Sequence, residues 1–169
     1  MTGSLMAVIM ISQSVEALTT QAQAIVQGTV LSRSCQRDDA GRIYTSIEFA
    51  VEEVWKGAVA TNRITLVHGG GVLGEEKVVV SGQVEYAVGE EAVVFLVWNP
   101  RGQGVTLGLR QGKFKITKEP TTGERLADNG MIARAAPNTN APTRSLATPT
   151  ARAGLSLAEL KQRVREVKP

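Results

Sequence analysis

The stretch that most constrains the fold is residues 43–55 (IYTSIEFAVEEVW), in which apolar and polar side chains alternate. One face of this stretch carries the apolar residues Ile43, Ile47, Phe49 and Val51. The other face carries the polar residues Tyr44, Ser46, Glu48 and Glu52. A period of two is typical of a strand that buries one face and exposes the other.

The alternation slips by one residue at Glu52 and Glu53, so that Val54 is the next apolar side chain. A slip of one residue would turn the rest of the strand inside out unless one extra residue is absorbed there. A β-bulge absorbs such a residue and bends the strand, as happens at the corners of barrels. The sequence therefore predicts a long, bent strand in a small closed or partly closed barrel.

The remaining pattern predicts one helix and several short strands. Ser12 or Ser14 can cap a helix whose stripe is Val15, Leu18, Ala22 and Ile25. Strand patterns follow at residues 24–34, with Gly28 as a bend point, and later at residues 63–68, 77–80 and 105–109. Residues 92–98 are apolar throughout, which predicts a strand covered on both faces.

These elements predict a mainly β fold. The expected form is a small OB-like Greek-key barrel of five to seven strands, with an N-terminal helix and a short C-terminal helix. A β-sandwich is the alternative.

Composition divides the chain into three parts. Residues 1–132 form the predicted barrel domain, including a first strand at residues 7–11. Residues 133–154 are rich in Ala, Pro, Thr, Asn and Ser without an apolar period, which predicts a disordered linker. Residues 155–169 carry a short predicted helix, capped by Ser156, with Leu157, Leu160 and Val164 on one stripe.

The N-terminal residues allow two interpretations. An apolar run at residues 5–11 and an A-x-A sequence at residues 22–24 are compatible with a signal peptide. No Lys or Arg precedes the run, and a long polar stretch follows it, so a strand followed by a helix is the favoured interpretation. No run of 18 apolar residues occurs, so no transmembrane helix is predicted.

The charge distribution limits the possible partners. The net charge is +3, yet residues 7–118 contain 11 basic and 11 acidic residues, so the excess lies in residues 119–169. The barrel is therefore not a generally basic protein. Aromatic residues make up only 4% of the chain, which leaves little material for stacking nucleotide bases.

Two groups of residues are candidate binding sites. The first is the glycine-rich sequence His68, Gly69, Gly70 and Gly71, where a flexible loop could let a partner backbone approach closely. The second is the basic set Arg110, Lys113 and Lys115, on or beside two adjacent strands, with Phe114 and Ile116 facing inward. Such a face could follow a phosphate backbone, or it could be an edge strand protected by lysines.

No catalytic, metal or cofactor site is predicted. The sequence HGGG resembles the oxyanion segment of esterases, but no G-x-S-x-G occurs and His68 is the only histidine. One histidine and Cys35 as the only cysteine are too few for a zinc site, and no disulfide can form within the chain. Paired carboxylates such as Asp38 and Asp39 are more typical of a solvated turn than of a calcium site.

Several segments together resemble an uncharacterised family of bacterial proteins that are predicted to be exported and that are frequent in myxobacteria. The matching segments are SVEALTTQAQAIVQGTV, GRIYT, VEEVWKG, HGGGVLG, VSGQVEYAVGEEAVVFL, LRQGKFKI and LSLAELKQRV. The resemblance implies an extracytoplasmic location and carries no agreed activity. The chain is also distantly similar to the OB-like barrels of metalloproteinase inhibitors and netrin modules. Those inhibitors chelate zinc through an N-terminal cysteine, whereas Cys35 lies beyond the first predicted strand.

The sequence thus favours a non-enzymatic interaction module, expected to be exported, whose partner is an unknown protein or cell-surface polymer. Its predicted binding loops are residues 68–74 and 83–89. The alternative, which is disfavoured, is an OB-type protein that binds single-stranded nucleic acid through residues 110–118.

Overall fold

A computed structural model describes residues 12–131 and 154–168 of the chain. These residues form two α-helices, α1 (Val15–Gln21) and α2 (Leu157–Glu166), and a 3-10 turn at Leu109–Gly112. The strands are β1 (Ala24–Arg37), β2 (Ile43–Lys56), β3 (Arg63–Gly69), β4 (Gly71–Leu73), β5 (Glu76–Val78), β6 (Glu91–Trp98), β7 (Gly104–Thr106), β8 (Lys113–Lys118), β9 (Arg125–Asp128) and β10 (Leu155–Ser156).

Five of these strands close into a ring in the order β1-β2-β3-β7-β6-β1. The β3–β7 pair is parallel and the others are antiparallel. This order confirms the mainly β, OB-like barrel that the sequence predicts, and ring closure distinguishes it from a β-sandwich. Beyond the ring, β8, β9 and β10 extend the sheet from β6, and β4 and β5 form a separate hairpin.

The bulge predicted in β2 is confirmed by the pairing register with β1. Gln27 pairs with Glu53 and Gly28 pairs with Val51, so Glu52 is the extra residue. A further register shift leaves Trp55 as a second extra residue closer to the end of β2. These shifts bend the two strands around the corner of the barrel.

Strands β1 and β6 separate two apolar cores, one on each face. The core inside the barrel contains Val26, Val30, Ile47, Phe49, Leu66, Tyr86, Val94 and Leu96. The core outside it lies under the helices and contains Val15, Leu18, Ile25, Val93, Phe95, Phe114, Leu160 and Val164. The prediction that residues 92–98 are covered on both faces is therefore confirmed for residues 92–96, all of which are buried.

Helix α1 begins at the predicted cap. Ser14 accepts a hydrogen bond from the main-chain N–H of Ala17 at 3.1 Å, and both Val15 and Leu18 are fully buried. The helix ends at Gln21, so Ile25, which the sequence placed on the helical stripe, reaches the same core from β1. The predicted first strand at residues 7–11 lies outside the described residues.

Helix α2 covers the outer core and packs against α1. Ser156 caps it by accepting a hydrogen bond from the N–H of Glu159 at 3.0 Å, as predicted, and Leu155 and Ser156 form β10 beside β9. Arg163 holds Glu16 of α1 through two hydrogen bonds of 2.8 and 2.9 Å. The predicted linker lies outside the described residues except for Gly154.

A third contact fixes α2 to the barrel itself. The ammonium group of Lys161 pairs with the carboxylate of Glu53 and lies 5.7 Å from the centre of the Trp55 ring. The bulge places Trp55 against the outer core, whereas Val54 is 41% exposed. Val54, which the alternation predicts as the next buried residue, is therefore exposed. The extra residues in β2 rotate the end of this strand.

We expect the substitution Gly28→Ala to destabilise the fold by about 3 kcal/mol, because overpacking of a tight contact forces main-chain shifts. A Cβ atom on Gly28 would lie 1.9 Å from the carbonyl oxygen of Ala50. Urea unfolding followed by circular dichroism would measure the change. Gly69→Ala is the matched control, because its Cβ would meet only a Val80 methyl at 3.7 Å. Equal stability of the two variants would contradict the prediction.

Acid is expected to weaken the attachment of α2. The Lys161 hydrogen bond lowers the pKa of Glu53 and the Arg163 hydrogen bond lowers that of Glu16, both from an ordinary value of 4.5. A lowered carboxyl pKa contributes stability that is present above the ordinary value and is lost as the pH falls below it. The double variant Glu16→Gln/Glu53→Gln should therefore lose less stability than the wild type between about pH 5 and about pH 3.

Urea unfolding at a series of pH values would measure this effect. Glu75→Gln is a useful control, because Glu75 is an exposed carboxylate in the β4–β5 turn. If Glu75→Gln flattened the pH profile as strongly as the double variant, the ion pairs of α2 would not be its cause.

Candidate binding site beside the hairpin

A cavity of about 420 Å³ lies between the barrel and the β4–β5 hairpin. Its barrel wall is formed by the ends of β1, β2 and β3, through Arg33, Thr45 and His68. Its other wall is formed by the hairpin and by residues 79–86. We call it the hairpin cavity. It includes the predicted residues His68, Gly69, Gly70 and Gly71 and part of the second predicted loop.

The barrel wall of the cavity contains a row of three side chains across neighbouring strands. Cys35 pairs with Thr45, and Thr45 pairs with His68, so the three residues are cross-strand neighbours. The Cys35 sulfur lies 3.4 Å from the Thr45 hydroxyl, and that hydroxyl donates to the carbonyl of Gly70 at 2.8 Å. These contacts join the row to the glycine turn, and the Thr45 hydroxyl has already donated its proton to a hydrogen bond within the protein.

Tyr86 is a buried anchor in the second wall. Its ring stacks on His68 with centroids 6.5 Å apart, and its hydroxyl shares a 2.6 Å hydrogen bond with Thr106. Burial raises the pKa of the Tyr86 phenol above its ordinary value, so the ring stays neutral. The role of Tyr86 is therefore to hold residues 79–86 against the barrel.

The glycine sequence is more tightly packed than the flexible loop that the sequence predicts. Gly70 and Gly71 have positive φ angles of 81° and 139°. A Cβ atom on Gly71 would lie 2.5 Å from the Thr45 hydroxyl and 2.7 Å from the Cys35 sulfur. The close approach that these glycines permit is made by the strands of the chain itself, because Gly69 ends β3 and Gly71 begins β4.

The second predicted set, Arg110, Lys113 and Lys115, lines a cleft of about 500 Å³ on the other side of residues 79–85. We call it the basic cleft. Residues 79, 80 and 83–85 line both the hairpin cavity and the basic cleft. The structure therefore brings the two candidate sets to opposite sides of one segment.

Lys113 is engaged inside the protein rather than presented to a ligand. It forms an ion pair with Glu90, in which the two side chains are 12% and 6% exposed, and it also lies 4.9 Å from the centre of the Tyr86 ring. Phe114 and Ile116 are buried, but they lie in the core outside the barrel, under the helices, rather than inside it. Of the three predicted cations, Arg110 and Lys115 remain exposed, and Lys115 has Asp128 as its cross-strand neighbour.

The structure also shows an apolar edge outside the two predicted binding sets. Val78, Val79 and Val80 are 44%, 74% and 40% exposed, and we call residues 78–80 the valine edge. Within the described residues, β5 pairs only with β4, and Val79 makes no hydrogen bond. The sequence signal for this edge is the run KVVVSG, whose pattern predicts only a short strand.

Comparison of the sequence with known protein families gives no matching family, and comparison with curated proteins gives no matching relative. The described residues contain no group of three or more His, Cys, Asp or Glu side chains placed to hold a metal ion. Neither described helix has the length and apolar character needed to cross a membrane.

The substitution Lys113→Met should destabilise the protein by about 3 kcal/mol, because it leaves the buried carboxylate of Glu90 without its counter-charge. Lys115→Met on the same strand is the matched control and should change stability by less than about 0.5 kcal/mol. Urea unfolding would measure both values. Adding Glu90→Gln to Lys113→Met should restore part of the loss, and a double variant no more stable than Lys113→Met would contradict the ion-pair explanation.

Proposed function

We propose that this protein is a non-enzymatic, extracytoplasmic interaction module that binds a partner chain at the valine edge and the adjoining hairpin cavity. The observation that carries the proposal is the exposure of three consecutive valines, of which Val78 ends β5 and Val79 and Val80 follow it, next to a concave and partly apolar surface. Exposed apolar surface of this kind commonly marks an interaction site.

The chemistry of the cavity favours binding over catalysis. The hydroxyls of Thr45 and Tyr86 are held in hydrogen bonds within the wall, and Nδ1 of His68 lies 2.9 Å from the carbonyl of Gly69. These groups fix the wall in place. A nucleophile would need a base aimed at it, and the contacts of the Thr45 and Tyr86 hydroxyls are structural.

The extracytoplasmic location is proposed from the family resemblance of the segments quoted above. An exported domain must remain soluble outside the cell, where an uncovered apolar edge would risk association. A partner that covers the valine edge would remove that risk.

Binding of single-stranded nucleic acid remains the alternative hypothesis. The basic cleft supports it by bringing Arg110, Lys113 and Lys115 together. The ion pair between Lys113 and Glu90 argues against it, because neutralising a phosphate would require that pair to break. The adjoining exposed side chains are valines rather than stacking aromatics.

A selection of displayed random peptides on the intact protein would test the proposed site. Selected peptides should bind Val79→Lys at least about tenfold more weakly than the wild type, because the lysine places a charge on the apolar edge. Val88→Lys is the matched control, since Val88 is also exposed, at 62%, but does not line the hairpin cavity. No enrichment, or equal loss of binding in both variants, would count against the site.

A further inference from the structure

The valine edge offers main-chain groups as well as apolar side chains. Val79 makes no hydrogen bond within the described residues. Among the same residues, the carbonyl of Val80 accepts one main-chain hydrogen bond, from the N–H of Gln83 at 3.1 Å. The neighbouring strand β5 pairs on one side only, with β4. An extended polypeptide can add a strand to an open edge of this kind, with affinity supplied by main-chain hydrogen bonds.

The side chains that line the two cavities beside the edge carry more positive than negative charge. Four cationic side chains line the hairpin cavity or the basic cleft and have no buried carboxylate partner among the described residues: Arg33, Lys77, Arg110 and Lys115. The carboxylates that line the same surfaces are Glu85 and Asp128; Glu75 and Glu76 precede Lys77 in the hairpin, where Glu76 pairs with Arg37. Residues 7–118 as a whole have equal numbers of acidic and basic residues, so this excess is local.

From these two observations we infer the chemistry of the partner: an extended polypeptide segment with an apolar centre and acidic flanks, which adds as a strand along residues 78–80. Its main chain bonds to Val79, its alternate side chains enter the hairpin cavity, and its carboxylates face Lys77 and Lys115. This inference rests on the proposed function, because it specifies what the same site binds.

Lysine on an edge strand commonly discourages pairing with other chains. Lys77 fills that role for β5 only in part, because the three exposed valines follow it directly. A carboxylate on the flank of the incoming strand would form an ion pair with Lys77, so this lysine would favour binding of that strand. Like charges on the incoming strand would meet repulsion, so the charge pattern supplies specificity for one class of segment.

Fluorescence anisotropy with three labelled nine-residue peptides and the full chain would test the inference. The first peptide alternates valine and threonine between paired glutamates, and the second replaces the glutamates by lysines. The third is the first with alternate main-chain nitrogens methylated, which removes donors from one edge. We expect the first to bind at least about tenfold more tightly than either of the others. The preference over the lysine peptide should shrink as salt is added.

Matched variants separate the contribution of charge to peptide binding from the contribution of apolar packing. Lys77→Gln/Lys115→Gln should reduce the preference for the acidic peptide to about twofold. Arg101→Gln removes an exposed cation in the turn after β6 and should leave the preference unchanged. Val79→Lys should abolish binding of the first peptide, and Val88→Lys should not.

Other outcomes would overturn the inference in distinguishable ways. If the displayed peptides depend on Val79 but the lysine or methylated peptide binds as well as the acidic one, the site stands and the partner chemistry is wrong. If the protein forms a dimer by analytical ultracentrifugation and Val79→Lys makes it monomeric, a second copy covers the edge instead. If no peptide binds and the displayed library yields none, both the inference and the proposed function fail.

Discussion

The contact between Gly28 and the main chain of Ala50 is the point on which barrel closure depends. The two backbones approach so closely that a Cβ atom on Gly28 would lie within 1.9 Å of the Ala50 carbonyl oxygen. The register shifts on the same pair of strands, with Glu52 as an extra residue, let β2 bend while it stays paired with β1. Strand β1 can then pair with β6 on its other edge and complete the ring.

Closure of the ring has a consequence for the rest of the chain. Strand β6 becomes central, with β1 on one edge and β7 and β8 on the other, and both of its faces are covered. The connection from β3 to β6 is attached to the barrel at a few points: Val84 and Tyr86 are buried in the core inside the barrel, and Gly82 accepts a hydrogen bond from the N–H of Arg110. The exposed residues between these points form the candidate site.

Much of this architecture could be predicted from the sequence, because it depends on local periodicity. The alternation of residues 43–55, its slip at Glu52 and the apolar run at residues 92–98 correspond to strand, bulge and central strand. The site could be predicted only in part. Its two candidate sets are about 40 residues apart, and their meeting across residues 79–85 depends on the route of the β3–β6 connection. No local pattern indicates that Lys113 pairs with Glu90 or that Gly71 packs on Cys35.

The other strands at the margins of the fold show why the valine edge is distinctive among the described residues. The outer edge of β9 is covered by β10, and the chain continues directly into α2, which packs over the same region. Strand β8 carries Lys113, Lys115 and Lys118, and both of its edges are paired within the sheet. These edges are covered by the protein itself, as stable β proteins require. The valine edge is exposed and apolar, and it lines a cavity whose walls are held by hydrogen bonds from Thr45 to Gly70 and between Tyr86 and Thr106. Fixed cavity walls next to a strand that is paired on one side only keep the geometry needed to receive another strand, because little ordering is required when the partner binds.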